Sequence, residues 1–182
     1  EGTPGIRGVA ADVFSGLTKL KKLNASNNSF SGDLSWLKNL SALQTLRLDG
    51  NQLSGQLDLS QFSPNLTDVY LSNNKLEGNL NGISTLTKVR NLYLEHNLLS
   101  GELPAELGNC STLSYFYLSN NNITGTIPVE VAKMNLGYSG LKLNGNRMSG
   151  EIPAEVLSSA VWKKLYPETN IYPQQEGYGF SN

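Results

Sequence analysis

Residues 92–104, which decide the fold of this chain, read Leu-Tyr-Leu-Glu-His-Asn-Leu-Leu-Ser-Gly-Glu-Leu-Pro. The same pattern returns along the sequence, with its asparagine at intervals of 23 to 25 residues. An apolar residue follows each asparagine by two positions, and a glycine follows it by four. The asparagines of the six copies are Asn28, Asn51, Asn74, Asn97, Asn121 and Asn146. Six copies in phase predict a protein built by stacking one structural unit.

Each copy carries the alternation of a short β-strand ahead of its asparagine. In Leu46-Arg47-Leu48 the two leucines face one side and Arg47 the other, because side chains alternate along a strand. One unit cannot bury its own leucines, so neighbouring units must stack their strands into a parallel sheet. An asparagine amide both donates and accepts hydrogen bonds, so we expect a ladder of buried asparagines that satisfies the turn backbone. We expect the glycines that follow to allow close approach or a positive φ.

The second half of the unit resembles a known signature. Residues 100–104, 124–128 and 149–153 read Ser-Gly-Glu-Leu-Pro, Thr-Gly-Thr-Ile-Pro and Ser-Gly-Glu-Ile-Pro. They resemble the Ser/Thr-Gly-x-Ile-Pro signature of plant-type leucine-rich repeats, and the resemblance covers about residues 17–153. It implies an α/β, β-rich, right-handed leucine-rich repeat solenoid with a parallel sheet on the concave face and a second, shorter sheet. We expect short helical or 3-10 turns on the convex face, because the segments there are too short for long helices.

We interpret residues 1–182 as a single leucine-rich repeat domain. Residues 1–19 are a partial repeat or an N-terminal cap, residues 20–153 are the six repeats, and residues 154–182 are a degenerate capping repeat with its tail. In that last segment Asn170 falls on the repeat phase, and Pro167 replaces a strand leucine. The opening residues match a repeat already under way, so we expect further domains upstream in the full-length protein and an open strand edge near Leu23.

Composition limits the partners. The net charge is −1 and the pI is about 5.9, which gives no reason to expect nucleic acid or an anionic membrane as a partner. The sequence has no run of 18 apolar residues, so we predict no membrane span in this chain. Cys110 is the only cysteine and occupies the phase of Leu40 and Leu86, which predicts a small buried side chain without a disulfide.

Catalytic motifs are absent from the sequence. One histidine, His96, and one cysteine leave no thiolate–imidazole metal cluster. Neither Gly-x-Ser-x-Gly, nor a Walker motif, nor Gly-x-Gly-x-x-Gly occurs, and the acidic residues are scattered singly. We therefore predict a protein that is not an enzyme, with no metal and no cofactor.

The residue between the two strand leucines faces the concave surface, and three successive tyrosines occupy that column. Arg47 precedes Tyr70, Tyr93 and Tyr117, and Lys142 follows them. The columns on either side add acidic and aromatic side chains. The candidate ligand-binding residues are Arg47, Asp49, Asp68, Tyr70, Tyr93, Glu95, Tyr115, Tyr117 and Lys142.

Three functions are compatible with this surface. The first is recognition of a protein or peptide ligand, because tyrosine offers large contact area and a hydroxyl at low entropic cost. The second is glycan binding, with tyrosine rings as platforms for sugar faces. The third is a rigid spacer in a larger surface protein, since tyrosine also favours strands and a cross-strand stack can serve the sheet alone.

The tail and the sequons bear on the compartment. Residues 173–180, Pro-Gln-Gln-Glu-Gly-Tyr-Gly-Phe, resemble the end of exported leucine-rich repeat proteins of Bacteroidetes. That resemblance implies a bacterial cell-surface or extracellular protein, lipid-anchored through a part outside this chain. The plant-type repeats imply the plant apoplast as the alternative, although the paired cysteine caps usual there are missing. Six Asn-x-Ser/Thr sequons would be glycan acceptors in that setting, and most follow from repeat composition alone.

Overall fold

The computed structural model describes residues 5–165 and 170–181, which form short strands joined by single helical turns. In chain order the strands are β1 (Arg7–Val9), β2 (Lys22–Asn24), β3 (Ser29–Gly32), β4 (Thr45–Arg47), β5 (Gln52–Leu57), β6 (Asp68–Tyr70), β7 (Lys75–Gly78), β8 (Asn91–Tyr93), β9 (Ser100–Glu102), β10 (Tyr115–Tyr117), β11 (Asn122–Thr124), β12 (Leu141–Lys142), β13 (Ser149–Glu151) and β14 (Gly179–Ser181). Each repeat supplies one strand to each of two sheet faces, so the chain winds as a solenoid.

The larger sheet confirms the predicted parallel stacking. Its order is β12-β10-β8-β6-β4-β2, and every neighbouring pair is parallel. The register aligns repeat with repeat, so that Leu46 lies opposite Val69, which in turn lies opposite Leu92. These three side chains are fully buried, because each coil of the solenoid covers the apolar side chains of the coil next to it. The alternate residues face outward and form the concave surface.

The second, shorter sheet is also present, in three pieces. Strands β1, β3, β5 and β7 form one piece, and the pairs β9–β11 and β13–β14 form the others. The glycine of each repeat lies in or next to this sheet with positive φ, from 72° at Gly125 to 100° at Gly150. Glycine is required there because an L side chain is strained at such φ values. The expectation of positive φ at these glycines is confirmed.

Single helical turns connect the sheets on the convex side, as predicted. The turns are α1 (Ala10–Phe14), the 3-10 turns Ser35–Asn39, Leu59–Gln61, Ile83–Thr85, Ala105–Asn109 and Val129–Lys133, then α2 (Ala154–Ser158) and α3 (Ala160–Lys164). Each carries at least one buried apolar side chain, such as Leu107, into a continuous core. Cys110 belongs to that core, buried and unbridged, as its repeat phase predicts.

The predicted asparagine ladder runs through the stack. The Asn97 side chain donates to the carbonyls of Leu71 and Leu94, at 3.0 and 3.1 Å. Its own Oδ1 accepts from the backbone N–H of Leu76 at 3.0 Å. Asn51, Asn74, Asn121 and Asn146 repeat this arrangement with their own neighbours. Each rung therefore joins adjacent coils through backbone groups that would otherwise be buried without partners.

The two ends follow the repeat geometry in different ways. Strand β1 pairs with β3 so that Gly8 lies opposite Phe30. The same register joins β5 and β7, where Gly55 lies opposite Leu76. At the other end Asn170 is buried, but the next rung of the ladder is Gln174. Pro167 and the neighbouring Tyr166 lie outside the described residues.

Candidate functional site

Three tyrosine rings stack across the outward face of the larger sheet. Tyr70, Tyr93 and Tyr117 are the last residues of β6, β8 and β10, and they pair in register across the strands. Successive ring centroids are 4.7 Å apart in both steps, with interplanar angles of 42° and 55°. The spacing of the stack follows the distance between neighbouring strands, which is about 4.8 Å. The backbone register thus holds the rings in contact.

A cation covers each end of the stack. The Arg47 guanidinium carbon lies 4.3 Å from the centre of the Tyr70 ring, and the Lys142 ammonium lies 4.3 Å from that of Tyr117. Both distances are within the range of cation–π attraction. We call Arg47, Tyr70, Tyr93, Tyr117 and Lys142 the tyrosine ladder. The sequence predicted these five residues as one column, and the structure brings them into direct contact.

Tyr115 widens the aromatic surface at β10. It lies two residues before Tyr117 on the same strand and therefore on the same face. Its ring meets the Tyr117 ring edge-on, with centroids 6.2 Å apart at an interplanar angle of 86°. Edge-to-face contact is a favoured geometry for aromatic pairs.

The ladder is partly withdrawn from water. Burial raises the pKa of Tyr93 to about 12, helped by the neighbouring tyrosines and Glu95. Burial likewise raises the pKa of Tyr117, with smaller contributions from Tyr115 and Glu95. These phenols stay protonated at neutral pH, so the formal charges of the ladder are those of its two terminal cations.

The three predicted acidic residues flank the ladder. Asp49 accepts a hydrogen bond from the Ser26 hydroxyl at 2.6 Å, and Glu95 accepts one from Ser72 at 2.5 Å. On the other side Asp68 accepts from the Asn91 amide at 2.5 Å. Each carboxylate is held by a side chain of an adjacent repeat, so the acids stay fixed beside the rings.

A polar groove of about 450 Å³ lies beyond Glu95, where the strands end. It is lined by Ser72, Asn73, Glu95, His96, Ser119, Asn120, Lys142, Asn144 and Asn170. Lys142 and Glu95 connect it to the ladder and its flank. Amide and hydroxyl side chains dominate its wall, which suits it to a ligand rich in hydrogen-bonding groups.

His96 lines the groove, although it is not among the candidate ligand-binding residues predicted from the sequence. His96 has a φ of 55°, and Nε2 lies 3.2 Å from the Asn120 amide. The residue before each ladder asparagine shares this left-handed conformation, as at Asn73 and Gly145. The signal was available in the sequence, because that column contains only asparagine, glycine and histidine, which are residues that tolerate positive φ.

No cluster of three or more His, Cys, Asp and Glu side chains in residues 5–165 and 170–181 is arranged to hold a metal ion. Within the same ranges, every helix is too short or too polar to cross a membrane.

The parallel sheets and the regular coils define a solenoid repeat protein, and comparisons with known proteins agree with that class. Two family models, both described as leucine rich repeat, match residues 4–53 and residues 88–110 with 112–134. A chain from the BIR3–SERK2 complex of Arabidopsis thaliana is 32% identical, with 71% of this chain and 70% of that chain covered and a TM-score of 0.63. The chain belongs to the leucine-rich repeat family.

Two larger receptors are also similar. The plant peptide hormone receptor RGFR1, solved in complex with RGF2, is 32% identical over 84% of this chain, with a TM-score of 0.77. The Arabidopsis receptor kinase HAESA, solved with the peptide hormone IDA and the co-receptor SERK1, is 34% identical over 82% of this chain, with a TM-score of 0.71. This chain covers only 25% of the length of either receptor structure.

Proposed function

We propose that this chain is a non-catalytic recognition module that binds a peptide or protein segment across its concave face. The observation that carries the proposal is the tyrosine ladder, an aromatic surface with cationic ends that the strand register holds in place. We propose as ligand contacts the five ladder residues together with Asp49, Asp68, Glu95 and Tyr115.

The physical argument for binding is preorganisation. Each ring is only partly buried, so it keeps surface for a ligand while its neighbours restrict its rotation. A side chain that is already ordered loses little entropy on binding. Tyrosine and arginine are also the residues that most often dominate binding energy at interfaces.

The similar structures support the same class of ligand. The plant peptide hormone receptor RGFR1 was solved with RGF2, and the Arabidopsis receptor kinase HAESA was solved with the peptide hormone IDA. By this likeness we propose an extracellular placement for the present chain. The bacterial surface and lipid anchor that the tail implied have no support in these comparisons.

A displayed random peptide library tests the function. Binders are selected on the intact chain, and each is then tested for binding to a variant with Tyr70, Tyr93 and Tyr117 replaced by alanine. The expected result is enrichment of a peptide family that binds the parent chain and is lost on the triple variant. Enrichment of binders that ignore all three substitutions would place the binding surface elsewhere and refute the proposed site.

Glycan binding is the second candidate, and the polar groove is the observation that favours it. Amides and hydroxyls of Asn73, Ser119, Asn120 and Asn144 lie beside the aromatic ladder, so a sugar could stack on a ring and hydrogen-bond along the groove. A glycan array probed with the parent chain and with Asn144→Ala separates the candidates. Specific glycan signals that Asn144→Ala removes, together with a failed peptide selection, would favour the glycan. Failure of both assays would favour the spacer role.

A further inference from the structure

We propose that the tyrosine ladder selects a peptide segment with two acidic side chains six residues apart and no acid between them. This inference rests on the proposed function and specifies its ligand. The two acids would meet Arg47 and Lys142, and the intervening residues would cover the tyrosine rings.

The spacing follows from the contacts of the ladder. From Arg47 to Lys142 the four steps are 4.3, 4.7, 4.7 and 4.3 Å, so the two charges lie at most about 18 Å apart. An extended chain advances about 3.3 Å per residue, and a polyproline II chain about 3.1 Å. Six residues therefore span roughly 19 to 20 Å, four span about 13 Å and eight about 26 Å. Of these three spacings, six comes nearest to the upper limit for the distance between the two charges.

Side-chain direction favours the same number. In an extended chain, residues separated by an even number face the same side, whereas five or seven would turn the second acid away from the sheet. In a polyproline II helix, residues three and six apart share a face. Six is the number between four and eight that satisfies both conformations.

The two cations retain groups to bind a carboxylate. Stacking of Arg47 on Tyr70 uses the flat face of the guanidinium, and its N–H groups lie in the plane of that face and along its edges. A guanidinium edge matches a carboxylate in bidentate geometry. Arg47 is exposed to solvent, and Lys142 is partly exposed at the junction with the groove.

The centre of the face excludes a third acid. Glu95 lies close enough to the rings to raise the pKa values of Tyr93 and Tyr117, and Asp68 flanks the opposite side of the ladder. A ligand carboxylate placed over Tyr93 would face these negative charges. Asp49, near Arg47, accepts a hydrogen bond from Ser26. Its charge weakens the attraction of Arg47 for a ligand carboxylate, but the ends of the ladder stay cationic.

Synthetic peptides test the spacing. Four acetylated and amidated 13-residue peptides of one alanine, proline and serine background carry two glutamates separated by four, five, six or eight positions. A fifth peptide has a single glutamate. Fluorescence anisotropy with the intact chain should show the peptide with spacing six binding at least tenfold more tightly than the other four. Arg47→Gln or Lys142→Gln should reduce its affinity to that of the single-glutamate peptide.

Matched variants control for net charge. Arg90→Gln and Lys75→Gln remove exposed cations away from the ladder and should leave the preference for spacing six unchanged. Equal affinities for all spacings, a preference that survives Arg47→Gln, or no measurable binding of any peptide would each overturn the inference. The proposed function is judged separately. Selected peptides that need the tyrosines but lack paired acids would support peptide binding by the ladder and refute the spacing of two acids.

Discussion

The side-chain amide of Gln174 donates a hydrogen bond to the carbonyl of Leu143 at 3.1 Å, as Asn146 donates to the carbonyl of Leu118 one repeat earlier. Gln174 also accepts from the backbone N–H of Met148 at 3.2 Å, and so reproduces the contacts of a ladder asparagine. The last coil is therefore joined to the stack by a glutamine. Strand β14 then adds to β13 and covers the edge of the second sheet.

Replacement of Gln174 by alanine should loosen the C-terminal end. It leaves the N–H of Met148 without its partner and removes one of the two donors to the carbonyl of Leu143, which keeps its bond from Asn146, at a cost of about 1–3 kcal/mol. Because repeats contact only their neighbours, the effect should be local. Hydrogen exchange at the Met148 amide should accelerate, while the Ile123 amide, bonded to Asn146, should exchange as before. An unchanged Met148 rate would show that Gln174 is not a rung.

Removal of an internal rung should be more damaging. Asn97→Ala leaves the buried N–H of Leu76 without its partner and removes one of the two asparagine donors to the carbonyls of Leu71 and Leu94. We expect a loss of about 3 kcal/mol in the free energy of unfolding. Asn39→Ala is the matched control, because Asn39 is exposed at the end of a convex turn. Urea denaturation of both variants measures the difference. Equal stability of Asn97→Ala and Asn39→Ala would contradict the ladder account.

The sequence predicts those features of the structure that recur in every repeat. Asn97 and Tyr93 recur at fixed positions in the repeat, so their burial and their stacking follow from one rule applied many times. Gln174 escapes that rule, because it lies 28 residues after Asn146 and differs from asparagine in length and identity. Asn170 has the expected spacing, but the N–H of Met148, which corresponds to the N–H that Asn146 accepts from one repeat earlier, bonds to Gln174.

The groove escaped prediction for a different reason. One column of its wall, that of Asn73, His96 and Asn120, has a recognisable residue preference, but that preference marks a left-handed backbone and not a binding surface. His96 illustrates the difficulty, since its left-handed backbone follows from its column but its contact with Asn120 depends on the neighbouring repeat. The three-dimensional stack, rather than any one repeat, creates this site.

Stability should fall at high pH partly through Tyr93. Its folded pKa of about 12 exceeds the ordinary value of 10, so the unfolded chain ionises first and the free energy of unfolding decreases between those values. Tyr93→Phe should show a smaller loss between pH 9 and pH 11 in urea titrations. Tyr138→Phe, which removes a hydroxyl from a side chain that is 73% exposed, is the matched control. Identical pH profiles for Tyr93→Phe and the parent chain would contradict the burial of this phenol.

Cys110 should resist thiol reagents. Its side chain is 5% exposed, and burial raises the pKa of the thiol, which lowers the fraction of reactive thiolate. Labelling by a chromogenic disulfide should be slow in the native chain and fast in denaturant. Complete labelling of the native protein within the mixing time would show that this core position is accessible.

The affinity of Tyr93→Ala for a peptide obtained from the display selection tests the central claim most directly. Loss of two ring contacts should lower the free energy of unfolding by about 1–3 kcal/mol and leave the fold intact, as circular dichroism would verify. Removal of the central ring should weaken binding by about 2 kcal/mol, roughly thirtyfold, whereas Tyr138→Ala should bind as the parent does. A folded Tyr93→Ala variant with the parent affinity would show that the ladder serves the sheet and not the ligand.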